Sequence, residues 1–174
     1  MSTATGSTGT VSTAAQSNAA PTTRTLVVER VFPHPPEKLW RALTESPLLA
    51  QWMMGNDFEP VPGRKFQFRT DPKPNWNGIV DGEVFVVEPL KRLSYSWGVG
   101  KSEGSAGLQW IVLWTLIPME GGTHLRMEQS GFGPDQTANY NGARYGWKIF
   151  FDGLERVLGA VEQDRSNSQR GDTK

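Results

Sequence analysis

The segment from residue 140 to residue 161 constrains the fold of this chain more than any other segment. Its apolar side chains recur at spacings of three and four, the pattern of a helix with one wide apolar face. They are Tyr140, Ala143, Trp147, Phe150, Phe151, Leu154, Val157, Leu158 and Val161. A face this bulky needs a concave partner. We therefore expect a curved antiparallel sheet around a long terminal helix, an arrangement that often leaves a cavity.

The rest of the chain supplies the elements of such a sheet. Strand periodicity and turn residues predict two short helices after a first strand, followed by a series of strands. The strands are expected near residues 25–32, 64–70, 79–88, 91–97, 108–118 and 123–130, and the short helices near 37–43 and 47–53. Gly82 is expected to mark a bulge, and the loop of residues 71–78 to expose Trp76. The order contains no alternation of single strands and helices, so it favours an α+β fold of about seven strands over a doubly wound one.

Length and composition narrow the class of protein. A chain of 174 residues suggests one domain, and the absence of cysteine excludes disulfides and fits a reducing compartment such as the cytoplasm. The formal net charge is zero, which gives no basic field for nucleic acid, and no apolar run approaches the ~20 residues of a membrane span. Residues 1–23 carry no charged side chain and are expected to be disordered. We expect the folded domain at residues 24–162 and a flexible tail at 163–174.

Four segments together resemble one known family. ERVFPHPPEKLWRALTESPLLAQWM, GEVFVVEPLKRLSYSW, the SGF at residues 130–132 and the GW at residues 146–147 follow one another in the chain. In this order they resemble the family of activator of heat-shock-protein-90 ATPase homologue-like proteins, over about residues 24–162. That family belongs to the SRPBCC or START-like, pollen-allergen-like helix-grip superfamily. The resemblance implies a seven-stranded sheet that grips the C-terminal helix around an internal cavity.

The same resemblance leaves several functions open. Relatives in the superfamily include lipid carriers, polyketide cyclases, hydroxylase ligand domains and co-chaperone domains. Fold alone does not select among these functions. The eukaryotic co-chaperone has an additional N-terminal domain where this chain has a short polar segment, which counts against direct co-chaperone action.

Aromatic side chains are the main candidates for a binding site. Ligand cavities are mostly apolar with a few polar anchors, and seven tryptophans and eight phenylalanines are many for this length. The candidate ligand-binding residues are Trp40, Trp52, Phe66, Phe68, Tyr95, Trp97, Gln129, Trp147 and Phe151. Arg69 is a further polar candidate. Gly142, Gly146 and Gly153 weaken the helix, and they either allow close approach to the sheet or leave room for a ligand.

Candidates for catalysis are weaker. Asp81 and Glu83 share a strand face, from which they would act as a general acid or base if that face lined the cavity. The alternative is a solvated outer face with cross-strand partners such as Arg126. The two histidines, His34 and His124, do not suffice for a metal site without cysteine, so we expect neither a metal nor a cofactor.

The sequence therefore leaves three functional hypotheses open. The preferred hypothesis is a module that binds a small apolar or aromatic ligand, lipid-like or polyketide-like, without an organised catalytic set. The alternatives are a cyclase- or hydrolase-type enzyme that uses Asp81 or Glu83, and a co-chaperone-like or stress-related interaction module. The strand at residues 108–118 is apolar on both faces, so the part between Trp110 and Leu116 is also a candidate homodimer surface.

Overall fold

A computed structural model of the protein describes residues 22–100 and 107–170, with side chains described for residues 22–100 and 107–160. In chain order the elements are β1 (Arg24–Phe32), α1 (Pro36–Thr44), α2 (Ser46–Trp52), β2 (Gly55–Asn56), β3 (Lys65–Arg69), β4 (Ile79–Glu88), β5 (Arg92–Val99), β6 (Leu108–Met119), β7 (Gly122–Phe132) and α3 (Thr137–Arg170). The predictions for residues 1–21, 101–106 and 171–174 lie outside the described residues.

Within the described residues, seven strands form one curved antiparallel sheet in the order β1-β7-β6-β5-β4-β3-β2. Helix α3 packs against the inner face of this sheet, while α1 and α2 follow the first strand. The predicted α+β helix-grip fold is therefore confirmed. Among the described helices, none combines the length and apolar character that a membrane span requires.

Helix α3 is longer than its apolar pattern predicts, since it begins at Thr137 and ends at Arg170. No glycine or proline interrupts residues 160–170, and the next residue is Gly171, which explains why the helix continues into the predicted tail. The predicted apolar face is the buried one. Its fully or nearly buried members are Trp147, Phe151, Leu154, Val157 and Leu158, whereas the side chain of Val161 lies outside the described ones.

Strand β6 shows how the sheet divides its side chains between its two faces. Trp110, Val112, Trp114 and Leu116 are buried on the inner face, whereas Ile111 on the outer face is 46% exposed. Both edges of β6 are hydrogen-bonded, one to β5 and the other to β7. A second copy of the chain therefore has no free edge to pair with between Trp110 and Leu116. A dimer through this strand would have to use its outward side chains.

The bulge predicted at Gly82 lies elsewhere. The register between β4 and β5 shifts between Val84 and Val86, so Phe85 is the extra residue. Gly82 has a different role, because it pairs with Phe66 of β3 and a Cβ atom there would lie 2.2 Å from the Phe66 ring. The glycine gives that ring room to lie across β4.

Helices α1 and α2 close one end of the sheet. The indole Nε1 of Trp52 donates a buried hydrogen bond of 3.0 Å to the carbonyl oxygen of Ala42, which joins the two helices. Helix α2 also approaches α3 closely, since a Cβ atom at Gly153 would lie 3.1 Å from the backbone oxygen of Trp52. Gly153 is therefore a packing residue.

Candidate functional site

A cleft of about 480 Å³ lies between the first half of α3 and the inner face of the sheet. Its lining is mainly apolar and aromatic. The lining residues are Met54, Asn75, Trp76, Trp97, Val99, Trp110, Gln129, Ala138, Asn139, Gly142, Ala143, Gly146, Trp147 and Phe150. An apolar cleft of this size with a few polar side chains has the usual character of a small-molecule site.

Trp147 forms the boundary between the cleft and the core. It is 2% exposed, and its Nε1 donates a hydrogen bond of 2.7 Å to Oε1 of Gln129 on β7. Its ring centroid lies 5.3 Å from that of Trp97 and 5.5 Å from that of Trp114. Polar and aromatic contacts together therefore fix the position of this indole beside the cleft.

Two glycines of α3 create much of the space. A Cβ atom at Gly142 or at Gly146 would meet no other atom within 4 Å. Both residues line the cleft, one helical turn apart, next to Trp147. Of the three glycines noted in the sequence, these two therefore leave room, whereas Gly153 allows the close approach of α2.

Trp110 is fixed at the end of the cleft where α3 begins. Its Nε1 donates a hydrogen bond of 3.0 Å to Oε1 of Gln136, which also accepts the backbone N–H of Gly133. The ring stacks on Phe132 at a centroid distance of 5.0 Å. The loop before α3 thus orients an aromatic wall of the cleft.

The prediction that the loop of residues 71–78 exposes Trp76 is wrong. The side chain is half-buried against the core and lines the cleft. Its Nε1 donates a hydrogen bond of 3.1 Å to the carbonyl oxygen of Ile79, the first residue of β4. This bond anchors the indole at the strand end, whereas a loop of proline, asparagine and glycine contains no periodicity from which the contact could be predicted.

The described residues bring three of the predicted ligand-binding residues to the cleft, namely Trp97, Gln129 and Trp147. Tyr95 lies instead in the packed core, where its hydroxyl oxygen accepts a hydrogen bond of 2.9 Å from Nε1 of Trp114. Burial raises the pKa of Tyr95 well above its ordinary value of about 10. This tyrosine is therefore a neutral structural residue at physiological pH.

The other predicted aromatic residues also lie outside the cleft lining that the structure describes. Phe66 and Phe68 pack with Phe58 around Tyr95 at the β3 end of the sheet. Four more predicted candidates have other surroundings: Trp52 and Phe151 are buried in the core, Trp40 is half-buried beside it, and Arg69 is exposed and donates to Gln67. The periodicity of the aromatic residues correctly indicated that they are partly or fully buried, but it did not indicate that the cleft lies beside Gly142 and Gly146 of α3.

Asp81 and Glu83 lie on the outer face of the sheet, opposite α3. They line a larger, polar groove of about 580 Å³ together with Asp57, Lys65 and Gln67. Asp81 accepts a hydrogen bond of 2.7 Å from Nε2 of Gln67. We place the candidate site in the smaller cleft, because the outer groove is polar and neither carboxylate reaches the apolar interior.

The outer face also corrects the predicted partner of these carboxylates. Arg126 lies on β7, which β6 and β5 separate from β4, and it donates hydrogen bonds to Glu29 and Glu128. His124, on the same face, lies 3.4 Å from the Glu29 carboxylate. Across the described residues, no three His, Asp or Glu side chains converge as they would to hold a metal ion.

Several residues of the cleft were not predicted as site residues. Trp110 was discoverable, since it alternates with Trp114 along β6, and Phe150 lies on the predicted helix face three residues after Trp147. Met54 and Asn75 follow no such pattern, because they reach the cleft from a helix end and a loop. Only the folded arrangement brings them to the same place as Gln129.

A family model and several solved structures match this chain. The model of the family described as Activator of Hsp90 ATPase homolog 1-like protein matches residues 33–159. The chain is 50% identical to protein MLL2253 from Mesorhizobium loti, with a TM-score of 0.72, over 79% of this chain and 98% of that one. No curated protein matches the sequence significantly.

More distant structures share the fold. DynU16, a protein of the dynemicin biosynthetic locus, is 26% identical with a TM-score of 0.64, over 78% of this chain but 47% of its own. The Aha1 dimer from Colwellia psychrerythraea is 22% identical with a TM-score of 0.64, over 78% of this chain and 96% of that one. Since the family model spans most of the chain and coincides with the sheet and the helix that form the cleft, the protein belongs to the family of Activator of Hsp90 ATPase homolog 1-like proteins.

Proposed function

We propose that the protein binds a small apolar or aromatic ligand in the cleft between α3 and the sheet, as a binding module without an organised catalytic set. The observation that carries this proposal is the space beside Gly142 and Gly146, which faces the aromatic walls of Trp97 and Trp147. Burial of apolar ligand surface there would contribute about 25 cal/mol for each Å² removed from water. The lipid-like or polyketide-like character expected from the sequence agrees with these walls.

The comparisons support a small-molecule role without identifying the molecule. DynU16 is a protein of a biosynthetic locus, and it shares the sheet-and-helix architecture that contains the cleft here. Fold likeness alone does not transfer an activity. The ligand class proposed here therefore rests on the lining of the cleft.

The enzyme alternative has less support from the geometry. Asp81 and Glu83 are separated from the cleft by the sheet itself, and the lining that the structure describes includes no charged side chain. A general acid or base must lie within hydrogen-bond reach of its substrate. Association with a chaperone, or with a second copy through outward side chains such as Ile111, stays a prediction.

A substitution that fills the cleft tests the proposal. Gly146→Leu should project its side chain into the space that a ligand needs, because a Cβ atom there meets nothing within 4 Å. Gly159→Leu is the matched control, since it lies on the same helix, is exposed and also meets nothing within 4 Å. Fluorene, an uncharged planar hydrocarbon, serves as the probe in ¹H–¹⁵N NMR titrations.

We expect wild type and Gly159→Leu to bind fluorene equally, and Gly146→Leu to bind it at least about tenfold more weakly, a difference of about 1.4 kcal/mol. Thermal unfolding should show that Gly146→Leu is at least as stable as wild type, because leucine favours a helix more than glycine does. Equal binding of fluorene by all three proteins, or binding by wild type of neither fluorene nor its ketone analogue 9-fluorenone, would overturn the proposed function. Native mass spectrometry of the purified protein would reveal any ligand retained from the cell.

A further inference from the structure

Gln129 is the buried polar residue of the cleft. Its side chain lies on the inner face of β7 between Leu26 of β1 and Val112 of β6, and it is 1% exposed. The other polar side chains that line the cleft in the described residues, Asn75 and Asn139, are exposed. An amide that lies almost completely buried among apolar neighbours is costly to desolvate, so its hydrogen bonds decide which ligand groups it can accept.

The hydrogen bond to Trp147 determines which way the amide points. An indole Nε1–H only donates, so the amide atom that lies 2.7 Å from it must be the oxygen. The reverse orientation would set two donors against each other at that distance. The NH₂ group of Gln129 is therefore the part that is left for other partners, and that group is a donor.

This NH₂ group has no protein partner among the residues that the structure describes, where the hydrogen bond from Trp147 to Oε1 is the one side-chain bond of Gln129. In the same residues, no side-chain nitrogen or oxygen that is sealed from solvent lacks a partner. Nε2 is therefore the atom that remains accessible. Because Gln129 lines the cleft, the accessible donor faces the cleft.

We propose that Gln129 selects ligands that carry a neutral acceptor oxygen, such as a ketone or quinone carbonyl, on a planar apolar skeleton. The proposal rests on the proposed function, since it names the class of ligand that the same cleft takes. A ligand without an acceptor would cover the donor and leave it unpaired, and buried unpaired donors are what allow sites to reject such ligands. Trp97, Trp110 and Trp147 offer flat surfaces to the skeleton around that oxygen.

The uncharged lining favours ligands with a neutral carbonyl group over ligands with a carboxylate. The described lining contains no lysine, arginine or histidine, so a carboxylate in the cleft would lose its hydration without a countercharge. A neutral carbonyl oxygen accepts the same hydrogen bond from Nε2 at a much smaller desolvation cost. The geometry therefore favours ketones, quinones and similar neutral carbonyl compounds over fatty acids.

A pair of probes of the same shape tests the inference. 9-Fluorenone and fluorene are both flat three-ring molecules, and they differ by a carbonyl group in place of a methylene group. We expect wild type to bind fluorenone about two- to tenfold more tightly than fluorene, which corresponds to one added hydrogen bond. The side-chain NH₂ signals of Gln129 in ¹H–¹⁵N NMR spectra should move with fluorenone far more than with fluorene.

Gln129→Met removes the donor and keeps the approximate size and length of the side chain. We expect the ratio of the two dissociation constants to fall to about one in this variant. If Gln129 had a structural role alone, the substitution would weaken the binding of both probes by the same factor and leave the ratio of their dissociation constants unchanged. If the variant does not fold, because it also leaves Trp147 Nε1 unpaired, the wild-type ratio and the NH₂ signals decide the question.

Two failures can be told apart. Equal binding of both probes by wild type, without movement of the Gln129 NH₂ signals, would overturn the inference and leave the proposed function standing. Binding of neither probe would overturn the proposed function, and the inference with it. A Gln129→Met protein that folds and keeps the wild-type preference for fluorenone would also overturn the inference.

Discussion

The side chains of α3 are described for residues 137–160, and the first half of this segment (137–148) and the second half (149–160) pack differently against the same sheet. The first half presents Gly142 and Gly146 toward the cleft, where added atoms would meet nothing. The second half presents Phe151, Leu154 and Leu158, each of which is at most 1% exposed. The contrast shows that one continuous helix can seal the core along one part of its length and leave a cleft along another.

The physical difference between the halves is the size of the side chains. Two glycines one turn apart carry no side chain toward the sheet, whereas bulky residues in the second half are buried against it. Trp147 lies between these regions: it lines the cleft, and its ring meets that of Trp114 in a T-shaped contact. We therefore expect substitutions that add or remove side-chain atoms to change the free energy of unfolding differently in the two halves.

The largest expected effect is the loss of volume from the packed half. Phe151 is fully buried, and its ring stacks on Trp114 at 5.8 Å. Phe151→Ala should lower the free energy of unfolding by about 3–5 kcal/mol, because it leaves a cavity that the neighbours do not fill. Urea denaturation measures this change. Ile149→Ala, on the same helix but 48% exposed, should change it by less than about 1 kcal/mol, and equal losses would contradict the assignment of the faces.

A smaller effect is expected on strand β5, in the core of the sheet. Tyr95→Phe removes the hydroxyl oxygen that accepts the hydrogen bond of Trp114. The buried indole N–H then has no partner, which should cost about 1–3 kcal/mol of the free energy of unfolding at neutral pH. A variant as stable as wild type would show that Trp114 finds another acceptor.

The pH dependence of the same variant sharpens this test. Burial raises the pKa of Tyr95 in the folded state above its ordinary value of about 10, so the folded protein keeps a proton that the unfolded chain releases. The contribution to stability is complete below about pH 10 and decreases as the pH rises further. Wild type should therefore lose stability above that pH more steeply than Tyr95→Phe, as measured by urea denaturation between about pH 7 and pH 11. Parallel curves would contradict ionisation of Tyr95 on unfolding.

A glycine-to-alanine substitution in each half should change the free energy of unfolding by a smaller amount, and in opposite directions in the two halves. Gly142→Ala should raise the free energy of unfolding by about 0.5–1 kcal/mol, because alanine favours a helix and its Cβ meets nothing within 4 Å. At Gly153 the same atom would lie 3.1 Å from the backbone oxygen of Trp52, so the gain should be cancelled or reversed. Thermal unfolding of the two variants measures the difference. Equal stabilisation would mean that α2 can move away from α3 without loss of stability.

The smallest effect is expected on the outer face. Asp81→Asn and Glu83→Gln should leave the dissociation constant for fluorene unchanged and alter the free energy of unfolding by no more than about 0.5 kcal/mol, because both side chains lie on the far side of the sheet. A marked loss of binding in either folded variant would show that the outer groove communicates with the cleft. Loss of turnover of a substrate would revive the enzyme hypothesis.

Much of the fold was predictable from residue patterns, because periodicity reports which side of an element is buried. The spacing of Trp147, Phe151 and Leu154 predicted the inner face of α3, and the alternation of Leu93, Tyr95 and Trp97 predicted the inner face of β5. Periodicity could not separate a core residue from a cleft residue. Tyr95 and Trp97 therefore looked alike, although one is sealed in the core and the other lines the cleft.

The sequence by itself determined the order of the elements, the long amphipathic helix and the burial of its apolar face, since these follow from local spacing and from the aversion of apolar surface to water. Tertiary structure alone decided that Trp76 lines the cleft, that Gly146 leaves room where Gly153 permits contact, and that Gln129 is left with a donor. Each of these depends on which atoms from distant segments meet. No single segment of the chain contains that information.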